Sequence, residues 1–434
     1  MNFTHGEKGV NLLKGIGVHL TSNILNALIP FFLLPILTRN LSVAEYGQVV
    51  MFQTFFLAVS TIVGLNTIGA ANRKFYDGDV NEVMLMRFNG SCLQILFISF
   101  VFLSVIGFLF KVDLGRTLSI PDWWVLYAIL AASFLFITNM RLGQWQIRNK
   151  SRLFGFLQVG GSVINMTLSI VFVVLLHKKG QGRIDAIVIS SALSAIFSIV
   201  LLYRDKLVCF FSFRWGLIKE ALVFGVPLLP HSLGMLLLTM SDRFIINNRL
   251  GVSDVAIYMA ALQLSSVFVV MFDAINKAFV PWLFDGLKRD NQLEKTRIVK
   301  LTYLYMSALL IIALLAFFIA PYVVVLIAGE KYRAGGAIIG WICLGQVFSG
   351  MYLMVTNYIF YAKKTHYLSL TTIISGILGI ALLFIGVEYY SLLGAAIAFA
   401  CAKFIHFMLT FYVSSKTYPM PWLSVLKSYG RLSG

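Results

Sequence analysis

Lys403 stands about twelve residues into a long apolar run close to the C-terminus, and His406 follows it one turn later on the same helical face. An ionisable side chain at that depth of an apolar run reaches water with difficulty, so each is a candidate for function. Two uses are open: contact with an anionic or hydroxyl-rich ligand, or pairing with a carboxylate or carbonyl of another helix. Near the other end, His19, Asn23 and Asn26 recur at i, i+4 and i+7 and so form one stripe of a helix. Such a stripe seldom faces lipid; it either lines a cavity or hydrogen-bonds a neighbouring helix. Arg39 and Arg141 lie close to the ends of their apolar runs, where a long side chain snorkels to the interface unless it turns into a cavity. The acids within apolar runs are few, Asp242 and Asp273. Either could carry a coupling proton, because burial raises a carboxylate pKa, but Arg243 and Lys277 are local partners that would hold them as ion pairs. Gln53, Asn66, Asn139, Gln144, Asn165, Gln263 and Asn357 pose the same question singly.

The elements that carry these residues follow from composition. Hydrophobic residues make up 59% of the chain and charged ones 12%, whereas about a quarter of a soluble domain is charged. At about twenty apolar residues per bilayer crossing, the 434 residues accommodate roughly a dozen helices and little else. Apolar runs at 12–37, 46–69, 89–110, 122–142, 154–176, 184–203, 221–241, 255–276, 300–321, 336–361, 367–387 and 391–413 are the expected spans. Pro30, Pro35, Pro227 and Pro230 fall inside them and mark kinks, which membranes tolerate where neighbours satisfy the freed carbonyls. With the N-terminus inside, about two dozen Lys and Arg lie in cytoplasmic segments and about ten on the other side, so both termini are expected in the cytoplasm. The formal charge of +17 is then a matter of topology, facing anionic headgroups, and no nucleic-acid partner is expected. Cys92, Cys209, Cys343 and Cys401 are scattered singly, which suggests packing rather than a disulfide or metal site. The first apolar run lacks a cleavage pattern and is expected to remain as a span.

An internal echo organises these spans. Asn40-Leu41-Ser42-Val43-Ala44-Glu45-Tyr46-Gly47 after the first span returns as Arg249-Leu250-Gly251-Val252-Ser253-Asp254-Val255-Ala256 after the seventh. Asn149-Lys150-Ser151-Arg152-Leu153, after the fourth, returns as Lys363-Lys364-Thr365-His366-Tyr367, after the tenth, at nearly the same half-chain offset. The fold expected is therefore an all-α membrane protein of about twelve transmembrane helices in two six-helix bundles, 1–205 and 206–434, related by a pseudo-two-fold axis along the membrane normal.

Three stretches carry a family resemblance: Leu34-Pro35-Ile36-Leu37-Thr38-Arg39-Asn40-Leu41 running into Glu45-Tyr46-Gly47; Gln146-Ile147-Arg148-Asn149-Lys150; and Val226-Pro227-Leu228-Leu229-Pro230 running to Ser241-Asp242-Arg243-Phe244-Ile245-Ile246. In order and spacing the chain resembles the polysaccharide repeat-unit flippases, the O-antigen and capsule exporters of the superfamily that also holds the multidrug and toxin extrusion (MATE) transporters. The resemblance implies a bacterial inner-membrane protein working by alternating access on undecaprenyl-pyrophosphate-linked oligosaccharide, with a polysaccharide polymerase and a chain-length regulator as neighbours. It implies neither a cofactor nor catalysis.

Such a cargo calls for buried cations and amides, which the spans supply. A cation-extruding multidrug transporter of the same fold would need buried carboxylates, and the first span has none. Lipid-II-type flippases typically add two C-terminal spans, whereas this chain ends about twenty residues after the twelfth. Asp77-Gly78-Asp79 has the DxD spacing of metal-dependent glycosyltransferases, but its loop is too short for a sugar-nucleotide domain and the tripeptide is also an ordinary polar turn. A Walker-type phosphate loop is absent, so energy must come from an ion gradient or from consumption of cargo on the far side.

Overall fold

The structure, a computed structural model, describes residues 29–78 and 81–425, and these form helices joined by short turns, with no strand among them. Contacts divide the chain into two compact units, Met1–Asn247 and Asn248–Gly434. Lipid cannot hydrogen-bond a backbone, so each spanning segment must satisfy its own amides and carbonyls, and an α-helix does so within one segment.

Unit 1 begins with α1 (29–40) and α2 (Val43–Ile62), which starts at a capping box: Glu45 donates its amide to Ser42 Oγ at 3.2 Å, and Ser42 donates its own to Glu45 Oε2 at 2.8 Å. A left-handed kink at Gly64, Leu65 and Asn66 separates α2 from α3 (Thr67–Lys74). The kink is satisfied from outside its own helix, because Gly64 N–H donates to Ser99 Oγ at 2.9 Å, and Thr67 Oγ1 donates to the Gly64 carbonyl at 2.7 Å. There follow α4 (Glu82–Leu109), the short α5 (Lys111–Leu118), α6 (Trp124–Ile147), α7 (Ser151–Ile170) and α8 (Lys179–Arg204). The seventh span is one helical run, α9 (Trp215–Gly225) and α10 (Leu229–Arg249), tightened between them to a single 3₁₀ turn, Val226–Leu228, that holds Pro227. The expected bundle boundary at 205/206 and the boundary between compact units differ in where they leave 206–247. Packing explains the difference: Gly225 of α9 lies against the Leu65 carbonyl, and Glu220 pairs with Lys74 of α3 at 2.6 Å.

Unit 2 consists of α11 (Val252–Lys288), α12 (Gln292–Ala328), α13 (Gly336–Tyr361) and α14 (His366–Thr417). Two apolar cores hold it together, one around Phe272, Val347 and Phe407, the other around Leu283, Tyr358 and Trp422. With 52 residues, α14 would run about 78 Å if straight, more than twice a hydrocarbon core. It reverses instead at Ser391, whose φ of 50° and ψ of −134° are not helical. The two arms return antiparallel on small residues: Gly394 meets the Gly386 backbone, Gly379 faces Ala402, and Thr410 Oγ1 donates to Thr371 Oγ1 at 3.5 Å. Ten described helices are long and apolar enough to cross a membrane. With the arms of α14 counted separately and α1 as the described end of the first span, the total agrees with the twelve read from sequence.

The second sequence echo has a structural counterpart. Asn149 and Lys363 both adopt left-handed φ, 56° and 58°. In both, the following amide reaches back five residues, Lys150 to Trp145 O at 2.9 Å and Lys364 to Ile359 O at 3.1 Å, which is a Schellman cap.

Gly394→Val is expected to separate the arms of α14 at a cost of about 1–3 kcal/mol or more, read as a lower unfolding temperature of the detergent-solubilised protein. Gly234→Ala, where an added methyl meets nothing within 4 Å, is expected to leave that temperature unchanged or raise it.

Candidate functional site

Within unit 1, α1, α2, α6, α7 and α8 enclose a cavity of about 390 Å³. Close approach of α7 to α8 shapes one wall, since a methyl on Gly161 would come within 3.1 Å of Ser194 Oγ. Gln53 comes from α2, Asn139 from α6, Gln158, Ser162 and Asn165 from α7, and Arg183, Ser190, Ser191 and Ser194 from α8.

Arg183 organises the polar side. It is only 7% exposed, one turn inside the start of α8. Its Nη1 donates to Asn165 Oδ1 at 2.7 Å and to Ser169 Oγ at 2.6 Å. Asn165 Nδ2 in turn donates to Ser190 Oγ at 2.8 Å, so two α7 side chains hold the guanidinium and α8 holds one of them. Every acceptor in this chain is neutral, Arg183 Nε has no hydrogen-bond partner, and no carboxylate occurs among the described lining residues. One turn inside a membrane helix a cation costs less than the about 2.5–3.5 kcal/mol of the helix centre, and neutral dipoles offset that cost without cancelling the charge. A positive field therefore remains for an anion, with amides and hydroxyls beside it for sugar-like hydroxyl groups. Immediately after Ser169, α7 ends in a π-helical turn, Val171–Leu175, a local geometry frequent at functional sites.

Of the residues singled out in the sequence, the cavity gathers Gln53, Asn139 and Asn165. The others lie elsewhere. Lys403 is half-buried, its Nζ 5.5 Å from the centre of the Phe399 ring. His406 stacks on Tyr352 of α13 with centroids 4.3 Å apart and lies 3.5 Å from Thr372 Oγ1 on the first arm of α14, so it joins three helix segments of unit 2. Arg39 is exposed at the end of α1. Arg141, 1% exposed, forms an ion pair with Asp205 and stacks on the Trp145 ring at 4.2 Å. Asp242 is half-buried, 3.4 Å from Arg243 Nη1, and Asp273 forms an exposed pair with Lys277 at 2.6 Å. Asn357 Nδ2 donates to Asn276 Oδ1 at 2.8 Å, between α13 and α11. Gln144 accepts from Arg148, Asn66 lies in the kink after α2, and Gln263 is half-buried on α11. Asp77 pairs with Lys74 at 3.3 Å, while Asp79 and the stripe of His19, Asn23 and Asn26 lie outside the described residues. All four cysteines are free thiols.

Sequence reading placed Arg183 in an outer loop and so passed over the residue on which the cavity turns. A signal was present. Arg183, Ser190, Ser191 and Ser194 stand at i, i+7, i+8 and i+11, a polar stripe of the kind recognised in the first span.

In a background with the four native cysteines replaced by alanine, Ser191→Cys and Gln53→Cys are expected to react with a membrane-impermeant maleimide several-fold faster than Leu193→Cys. Leu193, two residues beyond Ser191 on α8, is 47% exposed. Equal labelling of all three positions would show that the cavity is not wetted separately from the helix surface.

Comparison with known proteins places this geometry in a family. The model of the polysaccharide biosynthesis protein family matches residues 12–287. A protein of the Lsg locus of Haemophilus influenzae is 26% identical over 410 residues, covering 92% of this chain and 98% of its own. An uncharacterized membrane protein of the same organism is 27% identical, covering 89% and 95%. Among solved structures, the lipid II flippase MurJ in an inward closed conformation superposes with a TM-score of 0.72 at 15% identity, over 94% of this chain and 88% of MurJ. An inward-facing multidrug resistance MATE family transporter of the MOP superfamily gives 0.62 at 16% identity, over 94% and 96%. The fold is thus the MATE-like fold expected from the sequence, and the chain belongs to the polysaccharide biosynthesis protein family of multi-pass membrane proteins.

Proposed function

We propose that the protein is a flippase that carries a lipid-linked oligosaccharide, with undecaprenyl pyrophosphate as the lipid anchor, from the cytoplasmic to the periplasmic leaflet of the bacterial inner membrane. The observation that carries this reading is the Arg183 cavity: a buried cation held by neutral groups, lined with amides and hydroxyls, and without a carboxylate among the described lining residues. A phosphate draws on the first feature and sugar hydroxyls on the second. The same balance of charge disfavours a multidrug transporter, because a cationic drug would meet unpaired positive charge. The family match and the likeness of fold to a lipid II flippase support the transport class.

In this reading Lys403, with its Nζ 5.5 Å from the centre of the Phe399 ring, is a cation that unit 2 offers to the anionic cargo, and both termini are cytoplasmic. Of the two acids, Asp242 is the better placed for a coupling proton, since its side chain is 17% exposed against 50% for Asp273. The work is translocation rather than catalysis. The products would pass to a polymerase and a chain-length regulator on the far side.

In proteoliposomes loaded with a fluorescent polyprenyl-pyrophosphate oligosaccharide, Arg183→Ala is expected to slow translocation by about tenfold or more, while Arg183→Lys keeps a measurable part. Lys403→Ala is expected to reduce, and Lys403→Arg largely to preserve, surface polysaccharide in cells that depend on this gene. Wild-type translocation by well-folded Arg183→Ala protein, or efflux of ethidium in place of lipid movement, would overturn the reading.

A further inference from the structure

Unit 1 holds a second polar recess, of about 200 Å³, which the proposed transport path does not use. It forms where the C-terminal ends of α6 and α8 meet the N-terminal end of α4. Four cations line it, Arg141, Arg148, Lys150 and Lys206, against two carboxylates, Glu82 and Asp205, an excess of two positive charges. Asp205 takes one arm of the Arg141 guanidinium, but Arg141 Nε and Nη1 have no hydrogen-bond partner although the residue is 1% exposed. The indole N–H of Trp145, 3% exposed, is equally unpartnered. Burial, and secondly the charge of Arg141, hold the Arg148 guanidinium below its ordinary pKa. Buried donors beside excess positive charge fit a compact anion with several acceptor oxygens, which describes a phosphate.

An apolar groove of about 580 Å³ lies farther along the same three helices. Along α6, Arg141 lies four residues, about 6 Å, beyond groove residue Ile137; along α4, Leu85 of the recess lies eight residues, about 12 Å, before Leu93 of the groove. The segment 205–213 joins the two, bringing Lys206 and Leu207 to the recess and Phe210 and Phe213 to the groove. It is fixed to α4 at three points: Cys209 N–H donates to Met86 O at 3.2 Å, Asn89 Nδ2 to Leu207 O at 2.9 Å, and Gln94 Nε2 to Phe210 O at 2.8 Å. Gly90 permits that approach, because a side chain there would occupy the position of the Cys209 carbonyl.

A phosphate site at the helix ends, with an aromatic-walled groove farther along the same helices, matches the two parts of a lipid. We propose that recess and groove together bind one anionic membrane phospholipid, its phosphate among Arg141, Arg148 and Lys206 and an acyl chain against Phe97, Phe134 and Phe213. The recess is too small for a diphosphate bearing a chain of sugars, so the occupant is a resident lipid rather than cargo. Phe97 and Phe213, 67% and 66% exposed, open the groove directly to surrounding lipid. Basic recesses between transmembrane helices at the headgroup level are suited to this task.

The test is native mass spectrometry of the full chain, delipidated in detergent and titrated with phosphatidylglycerol, with phosphatidylcholine of the same chains, with inorganic phosphate, and with undecaprenyl phosphate. One phosphatidylglycerol is expected to bind saturably, about tenfold more tightly than phosphatidylcholine or free phosphate. Arg148→Gln combined with Lys206→Gln should remove that preference, and Arg148→Lys combined with Lys206→Arg should keep it, which separates lost charge from lost fold. Equal binding of the two phospholipids, an unchanged preference in the glutamine variant, or tighter binding of undecaprenyl phosphate than of phosphatidylglycerol would each overturn the proposal.

Discussion

A bilayer hydrates neither peptide groups nor charges, and the structure follows from how each is satisfied without water. Peptide groups are handled by helices throughout the described residues. Where a helix breaks, a neighbour supplies the missing partner, as Ser99 does for the Gly64 amide. Charges are harder to place, and unit 1 treats them in two ways. Arg141 is paired with a carboxylate at the edge of its helix, whereas Arg183, one turn inside α8, is held by Asn165 and Ser169 and keeps its charge uncompensated. Pairing cancels the field and neutral solvation preserves it. The recess around Arg141 therefore attracts an anion only through the further cations beside that pair, whereas the whole charge of Arg183 is left to the field of its cavity.

Small residues decide how closely the helices approach, and through that where cavities open. The arms of α14 meet at Gly386 and Gly394, and no cavity is needed there. On α7, Gly161 lets α8 come close at Ser194, and the adjacent serines and amides face the cavity. On α4, Gly90 admits the chain at Cys209 and so aligns the basic recess with the apolar groove. In each case the missing side chain sets a distance that no polar interaction could impose, because association in lipid is driven by packing rather than by the hydrophobic effect.

Much of the fold was legible from sequence. Hydropathy marked the spans, with ends close to those of the helix at 336–361 but well short of α11 and α12, which extend to Lys288 and start at Gln292, and the reversal at Ser391 falls at the expected junction between the last two. The repeat echo at Asn149 and Lys363 corresponds to the same left-handed cap twice over. The candidate site was legible only in part. Gln53, Asn139 and Asn165 were noted one at a time, and their meeting in one cavity depends on which faces of α2, α6 and α7 turn toward each other. Arg183 was passed over because hydropathy assigned it to a loop, while the helix in fact begins at Lys179. Lys403 and His406 stood out because a charge in an apolar run is conspicuous, yet His406 serves contacts among α13 and both arms of α14.

The sequence by itself determined that this chain spans a membrane about twelve times as helices, since hydropathy, turn residues and charge bias are local properties written at each position. It also indicated a polar interior with few acids. Only the tertiary structure decided which polar residues share a site, because a helix face has no meaning until a neighbour packs against it. It likewise decided that Arg141 is paired with a carboxylate while Arg183 is held by neutral groups alone, because the partner of a buried cation is distant in the chain, Asp205 in one case and Asn165 and Ser169 in the other.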